Sequence, residues 1–294
     1  AVLGLAAGGY GFVRLVEATP PVELLAPTSR TVLDARGRLL RAYTVEDGLW
    51  RLPVDVGRVD PTYLAMLIAT EDQRFRAHAG VDPLAIVRAG YQLLTRGRIV
   101  SGGSTLTMQV VRLSERLGTR NVSGKFGQIV KALALERFAS KDDILSAYLR
   151  LAPFGGNLEG VRSASLAWFG KEPTRLTPAE AAFLVALPQA PEARRPDRYP
   201  VAARAARDRI LRLCGERGVL TPSDVTAALG EDIPKRRRDF PIIAAQAADR
   251  AVAEWVVRAP KGTRLSLSGH ADRAGAPDTE ITPDSPPRGG GLRR

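Results

Sequence analysis

The sequence has few of the residues that form cross-links or hold metals. Only one cysteine, Cys214, and two histidines, His78 and His270, occur in 294 residues. A single cysteine excludes an internal disulfide framework and a multi-cysteine zinc or iron–sulfur site. Two histidines leave little material for a Ser/His/Asp or metal–histidine mechanism. Carboxylates must therefore carry any acid–base chemistry in this protein.

Aromatic residues are also scarce, at 6% of the chain. The formal net charge is +12, from 43 Lys and Arg against 31 Asp and Glu, which predicts an anionic partner. Composition alone admits nucleic acid, a phosphate-bearing substrate or a membrane surface. Nucleic acid is the least favoured of the three because aromatics are few and no recognition motif occurs. The hydrophobic content of 45% is typical of a globular protein with a sizeable core.

The two ends of the chain differ in composition from its body. Residues 1–13 carry no charge but are fewer than the roughly 20 apolar residues that span a membrane. We interpret residues 1–16 as a truncated membrane signal anchor, with a signal-peptide core or a buried segment as alternatives. An anchor would leave the remaining chain outside the cytoplasmic membrane. Residues 233–294 are expected to form a basic linker at 235–238, a short helix and a disordered tail after Pro260.

The body of the chain is predicted to be mainly α-helical. Residues 31–45 have the pattern of two strands around a turn at 34–37, so a β-hairpin stub and lead-in are expected over 17–60. From Pro61 onward, apolar residues at helical spacing dominate and strand signals are almost absent. We therefore assign residues 61–232 to one helical domain. Helix starts are predicted at Asp82 before Pro83, at Ser140 with Asp143, and at Thr177 with Glu180.

Two adjacent carboxylates, Glu71 and Asp72, follow the apolar run 64–68. Carboxylates at the end of an apolar stretch are costly unless they are solvated, paired or used. A Glu in a cleft is suited to proton transfer near neutral pH. A Glu-Asp pair at a helix end is also typical of a cap or of surface charge. Both interpretations stay open on these residues alone.

A second candidate site is the hydroxyl-rich loop 101–109. Small residues let the backbone approach a ligand closely and offer amide donors to an anion. The loop lacks the Gly-Lys-Ser/Thr ending of a P-loop, so it does not match that phosphate site. Between Tyr91 and Arg137, eight basic residues stand against two acidic ones, which suits a diphosphate. A solvated basic face explains that charge equally well.

Three motifs follow one another along the body of the chain. Glu-Asp-x-x-Phe-x-x-His-x-Gly occurs at 71–80, Gly-x-Ser-Thr-x-Thr-x-Gln at 102–109, and Lys-x-x-Ile-Leu-x-x-Tyr-Leu at 141–149. In this order they resemble the first, second and fourth motifs of glycosyltransferase family 51. This family comprises the peptidoglycan glycosyltransferase domains of class A penicillin-binding proteins. Segments 155–160, 164–171 and 180–191 also fit, and the sequence at 152–160 most resembles the type C branch.

The resemblance implies a mainly α, lysozyme-like fold and the polymerisation of lipid II into glycan strands. Undecaprenyl diphosphate would leave, with inversion at the anomeric carbon. Glu71 matches the family's catalytic residue, which would deprotonate the acceptor sugar hydroxyl. Basic residues near the donor diphosphate would offset the charge on the leaving group. Substrate-binding roles are expected for Asp72, Phe75, His78, Ser104, Thr105, Gln109, Arg112, Arg120, Lys125 and Gln128.

The resemblance also implies partners and a cellular location. The expected partners are lipid II, the nascent glycan strand, the cytoplasmic membrane and other proteins of cell wall synthesis, with the catalytic domain on the extracytoplasmic side. No cofactor is required, although some members use a divalent cation (Mg²⁺ or Mn²⁺) at the diphosphate, and the sequence has no dedicated metal cage. Neither Ser-x-x-Lys nor Lys-Thr-Gly occurs, so we expect no penicillin-binding transpeptidase within this chain.

The sequence departs from the family pattern at three positions. Gly124 stands where the third motif has Arg, Gln128 where it has Glu, and Arg150 where the fourth motif ends in Asn. A Gln forms hydrogen bonds but cannot exchange a proton. Two alternatives therefore accompany the glycosyltransferase interpretation. One is a weak or inert lipid II-binding module, and the other is a lytic, lysozyme-like enzyme, which would leave the basic window unexplained.

Overall fold

A computed structural model of the chain describes residues 2–34, 37–96, 103–115, 122–243 and five positions between 245 and 252. The described residues are mostly helical, which confirms the prediction of a mainly α protein. The lysozyme-like detail stays a prediction. The α-helices are, in chain order, α1 (Val2–Ala18), α2 (Pro61–Glu71), α3 (Pro83–Arg96), α4 (Leu106–Ser114), α5 (Val122–Leu135), α6 (Lys141–Leu151), α7 (Val161–Phe169), α8 (Pro178–Ala186), α9 (Pro200–Glu216) and α10 (Pro222–Gly230).

Short strands form two small sheets in the described part of the chain. The predicted hairpin is confirmed, with antiparallel pairing of Thr31 to Ala42. A second pair is parallel and joins Trp50 to Leu158, so it ties the lead-in to the helical body. Strands of two residues are too short to show an alternating pattern, which is why the sequence did not predict this pair. The strands are β1 (Thr31–Leu33), β2 (Leu39–Ala42), β3 (Trp50–Arg51) and β4 (Leu158–Glu159).

The predicted helix caps are all present. The Asp82 carboxylate accepts a hydrogen bond at 3.0 Å from the backbone N–H two residues later, at the start of α3. Capping boxes join Ser140 to Asp143 before α6 and Thr177 to Glu180 before α8. Each box pairs two backbone N–H groups that a helix start would otherwise leave unsatisfied. These helices therefore begin at the residues that the sequence indicated.

Helix α8 is the centre of the core. Apart from Glu180, its residues from Ala179 to Ala186 are almost fully buried. A helix that is apolar on every side must be covered on every side, and α2, α7, α9 and α10 all pack against it. Because α2 and α9 also contact each other, the end of α2 is held beside α9. This contact sets the position of Glu71.

The N-terminal helix packs on α5. The rings of Phe12 and Phe126 lie 6.0 Å apart, and Val16 is buried against Val130 and Ala134. None of the helices among the described residues is both long enough and apolar enough to cross a bilayer. The assignment of residues 1–16 to a signal anchor stays a prediction.

The expected basic linker lies against the body of the protein. The backbone N–H of Arg238 donates to the Ala167 carbonyl at 2.7 Å, and the Arg237 guanidinium donates to the Asn157 side chain at 2.7 Å. Phe240 then stacks on Trp50 with ring centroids 4.4 Å apart. These basic residues therefore fasten the segment after α10 to the domain. The expected tail after Pro260 and His270 lie outside the described residues.

Candidate active site

A cleft of about 720 Å³ opens where α2, α4 and α9 converge. One wall comes from the end of α2 and the start of α4, and the opposite wall comes from α9 and the residues before it. The cleft brings together residues of the first two motifs with Arg209, Arg212 and Arg217, which lie 100 or more positions further along the chain. Its lining includes Glu71, Ser104, Thr105, Gln109, Gln189 and Arg209.

Glu71 is the last residue of α2, and its carboxylate is held by two amide groups. Gln109 Nε2 donates to Oε2 at 2.9 Å, and Gln189 Nε2 donates to Oε1 at 2.7 Å. Each carboxylate oxygen has two lone-pair positions, so each keeps one for another donor. A side chain that is fixed in direction and still able to accept a proton is what a general base requires. Gln109 was predicted from the second motif, whereas Gln189 was not assigned a role.

Two buried phenols lie near this carboxylate. Burial raises the pKa of Tyr63 and of Tyr148, and the negative charge of Glu71 raises both further. Both phenols therefore stay neutral at physiological pH. These two tyrosines therefore add no second negative charge near the Glu71 carboxylate.

Asp72, the next residue, also borders the cleft, but its oxygens accept hydrogen bonds from within the protein. Both of its oxygens lie 3.0 Å from His78 Nε2, and Oδ2 also accepts the Leu106 N–H at 2.9 Å. Phe75 is fully buried beside His78, and the Lys141 ammonium lies 4.7 Å from the Phe75 ring centroid. This cluster joins the end of α2 to the start of α4. A direct substrate contact for Asp72, Phe75 or His78 stays a prediction.

Thr105 connects the second motif to the same scaffold. Its hydroxyl accepts the Met108 N–H at 3.1 Å as the N-cap of α4 and donates to the Gly80 carbonyl at 2.6 Å. Gly80 has a φ of 92°, and a side chain there would meet the Ala132 carbonyl oxygen. The last position of the first motif therefore accepts only glycine without strain. These contacts fix the edge of the cleft.

Lys125, Arg112 and Ser104 form a group that we call the charged edge, beside the cleft. The Lys125 ammonium lies 2.5 Å from the Ser104 hydroxyl oxygen. Burial lowers the pKa of Lys125, and the nearby positive charge of Arg112 lowers it further. Two cations held close together without full solvation favour an anionic ligand. The structure thus places Lys125 near both Ser104 and Arg112. The diphosphate site expected at Arg112, Arg120 and Lys125 stays a prediction.

Two further residues predicted to bind substrate are not among those described as lining the cleft. Arg120 lies outside the described residues. Gln128 is only 2% exposed, and its Nε2 finds no hydrogen-bond partner among the described residues. Gln128 does not line the cleft, so its predicted contact with substrate stays a prediction.

A divalent cation, Mg²⁺ or Mn²⁺, at the diphosphate stays a prediction. In the described part of the chain, no group of three or more His, Cys, Asp or Glu is arranged to hold a metal ion.

Sequence reasoning missed the second wall of the cleft. Arg209, Arg212 and Arg217 line it from α9 and the residue after it. Arg209 and Arg212 are three positions apart and so share one helix face. That spacing could have indicated a basic face, but the sequence gives no sign that the face lies opposite Glu71.

Comparison with known proteins covers the region that contains this cleft. The sequence profile of the transglycosylase family matches residues 36–214. Penicillin-binding protein 1C of Escherichia coli K12 is 44% identical over 216 residues, which cover 74% of this chain and 28% of that protein. Penicillin-binding protein 1A of Aquifex aeolicus is 32% identical over 226 residues, or 77% of this chain and 30% of that protein.

A solved structure is also similar to this chain. The crystal structure of penicillin-binding protein 1A from Haemophilus influenzae has a TM-score of 0.42 and 20% identity. The match covers 80% of this chain and 25% of that one, and a score at this level carries no conclusion about the fold.

The match to the family profile includes every described residue that the motifs predicted and the cleft lining up to residue 214. This chain spans less than a third of the length of the curated relatives it matches. The higher identity to a type 1C protein than to the type 1A relative from Aquifex agrees with the resemblance to the type C branch. Since the family profile covers more than half of the chain, this protein belongs to the transglycosylase family.

Proposed function

We propose that this chain is a peptidoglycan glycosyltransferase that polymerises lipid II into glycan strands. The observation that carries this proposal is the carboxylate of Glu71, which faces a cleft while amide groups hold both of its oxygens. The pair of cations at Lys125 and Arg112 adds a site for an anionic leaving group. Membership of the transglycosylase family supports the same reaction.

In the proposed reaction, Glu71 is the general base. The acceptor sugar hydroxyl gives its proton to the Glu71 carboxylate while its oxygen attacks the anomeric carbon of the donor. The bond from that carbon to the diphosphate oxygen breaks, and undecaprenyl diphosphate leaves with the electron pair. Attack from the face opposite the leaving group inverts the anomeric centre. The proton on Glu71 then passes to solvent, which restores the carboxylate for the next sugar unit.

Lys125 and Arg112 act on the leaving group in this scheme. Negative charge grows on the diphosphate oxygen as its bond to carbon breaks. Fixed positive charges near that oxygen stabilise the transition state more than the ground state. The hydrogen bond between Lys125 and Ser104 limits the directions that the ammonium can take.

Incubation of the purified chain with labelled lipid II tests the proposal. Glycan polymer made by the parent chain and lost in Glu71→Gln is the expected result. Shortening of a preformed glycan strand without polymer would support a lytic enzyme instead. Retention of lipid II without any polymer would overturn the transferase proposal.

A second candidate function is an inert lipid II-binding module, and Gln128 is the observation that favours it. A buried amide stands where the family motif has a carboxylate, so that position cannot exchange a proton. If the parent chain binds lipid II without making polymer, and the Gln128→Glu variant does make polymer, the binding module is the better description of the parent chain. Equal polymerisation by both proteins would exclude it.

We also propose that the catalytic domain works at the outer surface of the cytoplasmic membrane. Apolar side chains are exposed on α1 and α3, among them Tyr10, Val13, Leu84 and Val87. Exposed apolar side chains of this kind can insert into the interfacial region of a membrane. Co-sedimentation with liposomes should fall when Leu84 and Val87 are both replaced by Ser, and unchanged binding would contradict a role for α3.

A further inference from the structure

Gln189 links Glu71 to two arginines. It is the last residue of the 3-10 helix Leu187–Gln189, which follows the buried α8. Its Nε2 donates to Glu71 Oε1 at 2.7 Å. Its Oε1 accepts from Arg194 Nη1 at 2.8 Å and from Arg209 Nη2 at 3.1 Å. The carboxamide therefore lies between one anion and two cations.

This charge pattern allows only one orientation of the amide. With Oε1 toward the guanidinium groups and Nε2 toward the carboxylate, all three contacts are hydrogen bonds. A flipped amide would place Nε2 against two groups that only donate, and Oε1 against a carboxylate that only accepts. Gln189 is itself exposed, so the surrounding charges rather than packing set its direction.

Arg194 is held in place independently of Glu71. Its Nη1 also donates to the Ala186 carbonyl at 2.6 Å, at the end of α8. Burial lowers the pKa of Arg194, the adjacent Arg209 lowers it further, and the charge of Glu71 acts in the opposite direction. The buried helix α8 thus anchors a guanidinium group that orients the Gln189 amide.

We propose that Gln189, oriented by Arg194 and Arg209, is a positioning residue for the Glu71 carboxylate. Gln109 holds Oε2 from one wall and Gln189 holds Oε1 from the other, so rotation of the carboxylate is blocked. The free lone pairs then point in fixed directions into the cleft. Catalytic groups lose much of their effect when misplaced by about 1 Å. This proposal rests on the proposed function of Glu71 as base.

The first test compares two substitutions at position 189 that have opposite effects on the arginines. Gln189→Leu removes the donor to Glu71 and leaves Arg194 and Arg209 without their acceptor. Gln189→Glu also removes the donor, but its carboxylate pairs with both arginines and repels Glu71. We expect kcat to fall about 10- to 100-fold in Gln189→Leu and at least as far in Gln189→Glu. The KM for lipid II should stay near the parent value.

Thermal stability separates positioning from a structural role. Gln189→Glu should be at least as stable as Gln189→Leu because it keeps the arginine contacts, yet it should not be the more active variant. If activity instead follows stability, with Gln189→Glu close to the parent rate, the positioning role is overturned.

The second test is a double-mutant cycle with Arg194→Met, a residue that does not line the cleft. Arg194→Met should lower kcat in the parent but change it little in the Gln189→Leu background, because both act through the same amide. Full additivity of the two effects would overturn the proposal. Arg204→Met is the matched control, since Arg204 pairs only with the exposed Asp232 among the described residues, and it should keep the parent rate.

A third measurement does not depend on enzymatic activity. The ¹³C NMR signal of the Glu71 carboxyl group, assigned from its loss in Glu71→Gln, reports on its hydrogen bonds. It should move in Gln189→Leu and in Arg194→Met but not in Arg204→Met. An unmoved signal would refute the positioning role even if the chain polymerises lipid II. A moved signal in a chain that makes no polymer would overturn the proposed function alone.

Discussion

Two neighbouring carboxylates at the end of α2 lie in two different polar clusters. Glu71 faces the cleft, where exposed or half-exposed amides hold both of its oxygens. Asp72 is buried with His78 and accepts the backbone N–H that begins α4. The first cluster leaves acceptor positions for a substrate, whereas the second uses its acceptors within the protein. Under the proposed function, adjacent residues of one motif serve two purposes: Glu71 carries the chemistry, and Asp72 places the helix that carries Gln109.

Substitution of Glu71 by Gln should have the largest effect on activity. Gln has the same shape but cannot take a proton, so polymerisation of lipid II should fall about 10²- to 10⁴-fold. Thermal stability should hardly change, because the residue is not part of the buried cluster. Initial rates and melting temperatures of both proteins check this. Polymer formation at the parent rate would mean that another group is the base.

Asp72→Ala should have the opposite signature, a loss of stability. It leaves His78 Nε2 and the Leu106 N–H without their buried acceptor. The free energy of unfolding should fall by about 3 kcal/mol. Urea denaturation measures the loss, and Asp72→Asn is the control that keeps one acceptor oxygen. If Asp72→Ala is stable but inactive, Asp72 belongs to the chemistry rather than to the scaffold.

Much of this division could not be predicted from the sequence. Helix caps at Asp82, Ser140 and Thr177 depend on neighbours within three residues, so local patterns were sufficient to find them. Gln189 lies 118 positions after Glu71, and no local pattern reports such a contact. The separation of Glu71 from Asp72 depends on how α2 ends against α4 and α9, which is a property of packing. The motif named both carboxylates but could not indicate which hydrogen-bond partners each of them has.

Removal of both cations at the charged edge should weaken the binding of lipid II, an effect smaller than those expected at Glu71 and Asp72. In Arg112→Gln combined with Lys125→Gln, lipid II should bind about 3- to 10-fold more weakly at low salt. The dependence of binding on salt should also flatten, since fewer screened charges contribute. Titrations at two salt concentrations measure both effects. A double variant that binds with the parent affinity would remove this edge from the diphosphate site.

Thr105→Ala tests the scaffold at its contact with the cleft. The substitution deletes the N-cap of α4 and the hydrogen bond to the Gly80 carbonyl. Loss of a cap lowers stability by about 1 kcal/mol. We expect that loss in urea denaturation, with kcat close to the parent value at a temperature where both proteins are folded. A large fall in kcat at full stability would show that the Thr105 hydroxyl contacts substrate directly.

The smallest expected effect is a pH dependence that belongs to the charged edge alone. Because burial and Arg112 lower the pKa of Lys125 from 10.5, the ammonium loses its proton at a lower pH than an exposed lysine does. Anion binding that depends on this charge should therefore decline as the pH rises through that lowered pKa. The free energy of unfolding should change in the opposite direction: between the lowered pKa and 10.5 the unfolded chain holds the additional proton, so stability rises with pH.

Lys125→Arg separates this titration from any other alkaline change. Its guanidinium stays charged in proteins, so the decline in lipid II binding that the lowered pKa of Lys125 causes should disappear. Asp72→Asn, which changes the hydrogen bonds to His78 and Leu106 but leaves Lys125 and Arg112 in place, should keep the decline of the parent chain. If binding falls with pH in Lys125→Arg as it does in the parent, the titrating group is not Lys125. The pH dependence would then not distinguish the charged edge from the Asp72–His78 cluster.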